Sequence, residues 1–295
     1  MAKHNAQSCD KTESFEQLQG SLFMKLRRKL VTVTALLFFM LLALAFPFGP
    51  LFPWSPVKLG YHTINYARGD VSVAETQPVE TEFAALDQLM NEAETFHQLR
   101  YQRRIKVIGC QDWGTCKRGM PWMKINGLGG VTLAGDVIYI TPKLKEMKFS
   151  TLQFLKHELT HALLCQNTTV LKGYKLNQQP WFHEGLAVSF GRQSDYLKRD
   201  EWLKLTATTS LTQYLDPKLG PEEWNARFAY PTQRYFIEWL KTTYGEERFY
   251  QFLVRDIAEP DVWRATFAAV FPSSFEAAIL QYEQAVRAGT WQPAE

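Results

Sequence analysis

Apolar residues run without a charge from Leu30 to Phe46, extended by Phe48 and Leu51, and Lys25, Arg27, Arg28 and Lys29 stand just before them. A bilayer core asks for about 20 such residues, so the pattern predicts a transmembrane segment over 25–51. The basic flank predicts that the polar tail of residues 1–24, expected to lack order, stays in the cytoplasm. Everything after about residue 52 is then expected on the periplasmic, extracytoplasmic side. Two other readings stand beside this one. Ala43-Leu44-Ala45 has the small-x-small form of a signal-peptide cleavage site with Met24 as an alternative start, and a core helix of a soluble protein would also be apolar. The continuation of the run past Ala45 favours a retained, single-pass anchor in the cell membrane.

Beyond it, residues 52–80 are rich in Pro, Gly and β-forming residues and predict a linker. The remaining 81–295 suit one domain. Within it the spacing predicts a long amphipathic helix over Phe83–Arg103, a short strand over Ile105–Gly109, and a strand pair or one long strand over Gly130–Thr141. Helices dominate after Ser150. Ser150 and Gln153 have capping-box spacing, and Leu152, Leu155, Leu159 and Leu163 follow as an apolar stripe. A second helix is bracketed by Pro180 and Gly191, which suit a first turn and a stop. Strands first and helices later predict an α+β fold, a small sheet followed by a mainly helical half.

The formal net charge of +3 is too small to argue for nucleic acid, and no basic run exists beyond the membrane flank. The chain has no internal repeat and no phosphate-binding glycine loop, and nothing in the pattern sets an oligomeric state. Cys110 and Cys116 bracket a short polar stretch that a disulfide would staple in an oxidising compartment. Cys9 would stay on the cytoplasmic side, and Cys165 reads as a small buried hydrophobe.

Chemistry concentrates in two places. Residues 157–161 read His-Glu-Leu-Thr-His; on a helix, positions four apart share a face, so His157 and His161 can present two imidazoles to one Zn2+ while Glu158 projects beside them as a base. Glu184, within Trp-Phe-His-Glu-Gly-Leu-Ala, completes a two-histidine, one-carboxylate set that leaves a position open to water. Taken singly, a histidine on an apolar helix is more often a core residue, and a carboxylate early in a helix more often a partner for its dipole.

The two motifs together resemble the gluzincin zinc metallopeptidases, the peptidase MA-like domains related to the aminopeptidase N family. The likeness covers about residues 81–255 and is strongest over 150–192. It implies a zincin-like fold, His157, His161 and Glu184 as zinc ligands, and Glu158 as general base. Ala229-Tyr230-Pro231 and the aromatic stretch to Tyr244 look like the later helix of that family, where a tyrosine faces the metal; Tyr230 is the match for an oxyanion donor, with His183 as competitor and an ordinary core role for the tyrosine as the alternative. The chain departs from the aminopeptidases in lacking a motif for a substrate amino terminus. It also has Val188 where some gluzincins place an acidic residue four positions after the glutamate ligand. Groups orienting His157 and His161 must therefore come from elsewhere.

Gly135-Asp136-Val137-Ile138-Tyr139-Ile140 is either an edge strand on which an extended peptide could add or a core strand. The expected function is a membrane-anchored zinc metallopeptidase acting on peptide or protein substrates. Its rivals are a zinc-binding interaction module without turnover and a zinc hydrolase of another amide bond, such as one in cell-wall material.

Overall fold

A computed structural model describes residues 9–48, 51–56, 58–74, 81–110, 112–120, 127–144, 150–193, 197–216 and 225–294. These form two units. The first contains helix α1 (Cys9–Phe48) and a short 3-10 turn (Phe52–Trp54). Within α1, Met24–Phe46 is long and apolar enough to cross a membrane and none of it is buried in protein, a property a signal sequence shares. The helix begins at Cys9, so residues 9–24 are helical rather than without order. Extending an existing helix costs far less than nucleating one, and Glu, Gln and Leu are good helix formers. Residues 1–8 lie outside the described residues.

The second unit is α+β, mostly helical with one small mixed sheet. Strands β1 (Tyr61–Asn65), β2 (Gly69–Ala74), β3 (Ile105–Gly109), β4 (Gly130–Leu133) and β5 (Val137–Ile140) stand in the order β1-β2-β3-β5-β4. The outer pairs, β1 with β2 and β4 with β5, are antiparallel; β2 with β3 and β3 with β5 are parallel. The stretch expected as a linker over 52–80 thus supplies two strands. Val71 and Val73 of β2 are buried, and Asp87 accepts the Ala67 and Arg68 amides at 2.9 and 2.8 Å, fixing the turn between β1 and β2. Residues 75–80 of that stretch lie outside the described residues.

Strand β3 falls where the pattern predicts it, and 130–141 resolves into a pair. The helix expected over Phe83–Arg103 is shorter: a 3-10 turn (Thr81–Ala85) leads into α2 (Leu86–His97), which ends at the left-handed Gln98. Side chains hold the rest extended. The Glu94 carboxylate accepts the Tyr101 amide at 2.8 Å, and the Gln166 carbonyl accepts the amides of Gln102 and Arg103 at 2.8 and 2.7 Å. A short helix α3 (Trp113–Gly119) follows β3, and the Cys110–Cys116 disulfide is present, with Cα atoms 5.4 Å apart.

The helical half comprises α4 (Thr151–Gln166), α5 (Val170–Leu176), α6 (Pro180–Gly191), α7 (Arg199–Thr206), α8 (Thr212–Leu215), α9 (Ala226–Tyr244), α10 (Glu246–Ala258), α11 (Trp263–Val270) and α12 (Phe275–Arg287). One core joins the sheet to α2 and α4 through Val107, Ile138, Leu89, Leu155 and Leu159. A second, aromatic core surrounds Trp181 of α6 with Phe236, Phe252 and Phe275. Helix α6 packs against both α4 and α9, which brings the second motif onto the first.

Candidate metal centre

Helix α4 carries the first motif with Leu155, Leu159 and Leu163 buried beneath it. The expected capping box does not form. Ser150 makes no side-chain cap bond, and Gln153 Nε2 instead donates to the Arg192 carbonyl at 2.9 Å. That bond ties α4 to the end of α6, where the left-handed Arg192 terminates the helix (φ 47, ψ 47). Close approach needs two glycines. A Cβ on Gly191 would stand 2.9 Å from the Gln153 carbonyl oxygen, and one on Gly185 would stand 2.7 Å from Ile237 Cδ1 and 2.9 Å from the Gln233 carbonyl oxygen.

The packing converges the sequence-predicted ligands. His157 Nε2 and His161 Nε2 are 3.0 Å apart; Glu184 Oε2 is 3.3 Å from the first and Oε1 3.7 Å from the second. These three residues could hold a metal ion, their ligand atoms lying within 4.8 Å of one another. Atoms about 2.0–2.1 Å from a zinc ion at tetrahedral corners stand about 3.3 Å apart, within the range that these separations span. Protonation favours the ligating form at Glu184 and His161 and the charged form at His157. Burial raises the Glu184 carboxyl, but His161, His157 and His183 outweigh it and hold the group well below the usual carboxylate range. Burial lowers His161 to about 3, only partly opposed by Glu184. At His157 burial is outweighed by Glu184 and Glu158, which raise it. An ionised carboxylate beside a neutral imidazole is the state in which such groups ligate.

Glu158 lies beside the ligands under the edge strand. Gly130 and Thr132, two apart on β4 and so on one face, both reach it. A Cβ on Gly130 would come within 2.7 Å of Glu158 Oε1, and the Thr132 hydroxyl donates to Oε2 at 2.7 Å. Burial pushes the carboxyl up to about 7, against the pull of His157 and the Thr132 hydroxyl. The edge beside the site is β4, whereas 135–140, weighed as an edge strand, holds β5 between β3 and β4.

Tyr230 sits at this centre, its ring 6.2 Å from that of His157. The helix bearing it starts at Ala226, where the Asn225 side-chain Oδ1 accepts from the Arg227 amide at 3.1 Å. His183 is buried. Its ring lies 5.4 Å from His161, Nε2 donates to the Asn177 carbonyl at 3.3 Å, and Nδ1 lies 3.5 Å from Glu184 Oε1. Cys165 is half-buried against Gly135 and is not one of the ligand group.

Two residues of the centre escaped the sequence pattern. Thr132 could have been found only from its place two positions after Gly130, on the same face of an edge strand. Gln193, whose Oε1 accepts from His157 Nδ1 at 2.9 Å, carries no local signal and answers the missing acidic partner at Val188. No protein-family model matches this chain, and no curated protein matches its sequence.

Proposed function

We propose that this chain is a zinc-dependent metallopeptidase with a zincin-like domain of the gluzincin type, held at a membrane by its amino-terminal helix with the domain on the extracytoplasmic side. The observation that carries the reading is the convergence of both Nε2 atoms of the His-Glu-x-x-His helix on Glu184, with a buried, hydrogen-bonded Glu158 alongside. Zinc at His157, His161 and Glu184 would polarise a substrate carbonyl and lower the pKa of water toward neutrality. Glu158 takes the proton of the attacking water and returns it to the leaving amine, a role suited to a carboxyl tuned near neutrality. Tyr230, beside His157, donates its hydroxyl to the oxygen that gains charge in the transition state. Among the described residues strand β4 pairs with β5 alone, so an extended peptide adding along its other edge would lie beside Glu158.

The intact Glu158 favours turnover over a binding module. The test is incubation of the zinc-loaded and chelated protein with a diverse peptide library and mass-spectrometric readout. Cleavage lost on chelation and regained with zinc is expected. Cleavage indifferent to chelation, or none in any peptide, contradicts the reading, and cleavage confined to cell-wall amides favours the alternative hydrolase.

A further inference from the structure

His157 is oriented from behind by a residue outside either motif. Its Nδ1 lies 2.9 Å from Oε1 of Gln193, itself 2 % exposed. Three neighbouring features aim that amide. The left-handed Arg192 turns the chain back after α6. Its carbonyl is held by Gln153 Nε2 from the motif helix. Gly191 permits the approach, since a Cβ there would stand 2.9 Å from the Gln153 carbonyl oxygen on the motif helix. Gln193 Nε2 has no hydrogen-bond partner among the described residues, so the contact with His157 is the one that orients the amide.

We propose that Gln193 is a positioning residue that sets the metal affinity of the centre, an inference that rests on the metal-site reading above. Accepting from Nδ1–H places the proton on that nitrogen and leaves the Nε2 lone pair directed at His161 and Glu184. An amide does this as a neutral acceptor. A carboxylate in its place would add negative charge behind the ring and make Nε2 a stronger donor. The site is thereby held at moderate affinity: it is tightened by a Glu at 193 and loosened by an apolar residue, which releases both ring and tautomer.

The test is zinc affinity of the detergent-solubilised full chain, read by competition with a chromophoric chelator, for the wild type, Gln193→Leu and Gln193→Glu. Cobalt absorption serves as a second readout of ligand geometry. Gln193→Leu should bind zinc ten- to a hundredfold more weakly, the range for losing such an outer partner, and should change the cobalt spectrum. Gln193→Glu should bind more tightly than wild type. Affinities of both variants within twofold of wild type overturn the inference, as does weaker binding by Gln193→Glu, which decides the matter even if Gln193→Leu does not fold. A wild-type chain that binds no metal overturns instead the reading on which it rests.

Discussion

The Thr132 hydroxyl stands 2.7 Å from Glu158 Oε2 and 3.0 Å from the backbone carbonyl of the same residue, tying the candidate base to the edge strand 26 positions away. A hydrogen bond to the ionised carboxylate both orients it and favours its charged form. Thr132→Val keeps the shape and removes the donor. Hydrolysis is expected to fall roughly ten- to a hundredfold, the equivalent of about 1.5–3 kcal/mol, with zinc content unchanged. The acid limb of the pH–rate profile should move up, because the carboxyl loses the bond that lowers its pKa. A rate and profile equal to wild type would make the contact incidental.

Tyr230 makes a sharper case. Its ring contacts that of His157 at a centroid distance of 6.2 Å, yet its body also packs on the sheet-side core. Tyr230→Phe retains that packing and removes the hydroxyl alone. Zinc content and melting temperature should hold while the maximal rate drops roughly ten- to a thousandfold, the range for losing one oxyanion donor. An unchanged rate would return Tyr230 to the core and leave His183 to be tested next.

Gly185, next to the candidate ligand Glu184, is required by packing. An alanine Cβ would meet Ile237 Cδ1 at 2.7 Å and the Gln233 carbonyl oxygen at 2.9 Å, and the second of these is backbone that cannot swing aside. The helix-propensity gain of alanine, about 1 kcal/mol, is outweighed by overpacking of about 1–3 kcal/mol. Differential scanning calorimetry on Gly185→Ala should show a melting temperature lowered by several degrees, together with weaker zinc binding as Glu184 moves. A variant as stable as wild type contradicts the packing argument.

Asp256 on α10 is fully buried, its Oδ1 accepting from Gln179 Nε2 at 3.2 Å, just before the helix that carries Glu184. Burial pushes its carboxyl up to about 7 from 3.8, with Gln179 pulling the other way. The folded state therefore holds this proton more tightly than the unfolded chain. The stability it contributes is fully present below about pH 4 and is lost as pH rises to about 7, at up to ~1.4 kcal/mol per pH unit. Asp256→Asn should melt at a higher temperature than wild type at pH 8 and at a similar one at pH 4. An equal difference at both pH values would show that Asp256 does not titrate in this window.

Much of the centre is legible in the sequence because it is written in short-range periodicity. His157, Glu158 and His161 share one helical turn, and Pro180 and Gly191 mark the limits of the helix that brings in Glu184. Thr132 and Gln193 escape because their contacts span 26 and 36 residues and depend on how an edge strand and a left-handed turn come to rest against α4. The strands at 61–65 and 69–74 escape for another reason. Gly69 and the neighbouring Pro and Gly residues dilute the β pattern, although Gly69 is where β2 meets β3, a Cβ there standing 2.5 Å from the Ile105 carbonyl oxygen. The helix expected as far as Arg103 ends at Gln98 because Glu94 and Gln166 capture the amides beyond it, a competition invisible to propensity.

The central claim, hydrolysis through a metal ion held by His157, His161 and Glu184 with Glu158 as base, is tested most directly by peptide cleavage measured on the purified chain and its Glu158→Gln variant, with zinc content determined on the same samples. About one zinc per chain is expected in both, with cleavage lower by several orders of magnitude in the variant, and zinc absent from a His157→Ala/His161→Ala double variant. Unchanged cleavage in Glu158→Gln, or stoichiometric zinc retained by the double variant, would contradict it.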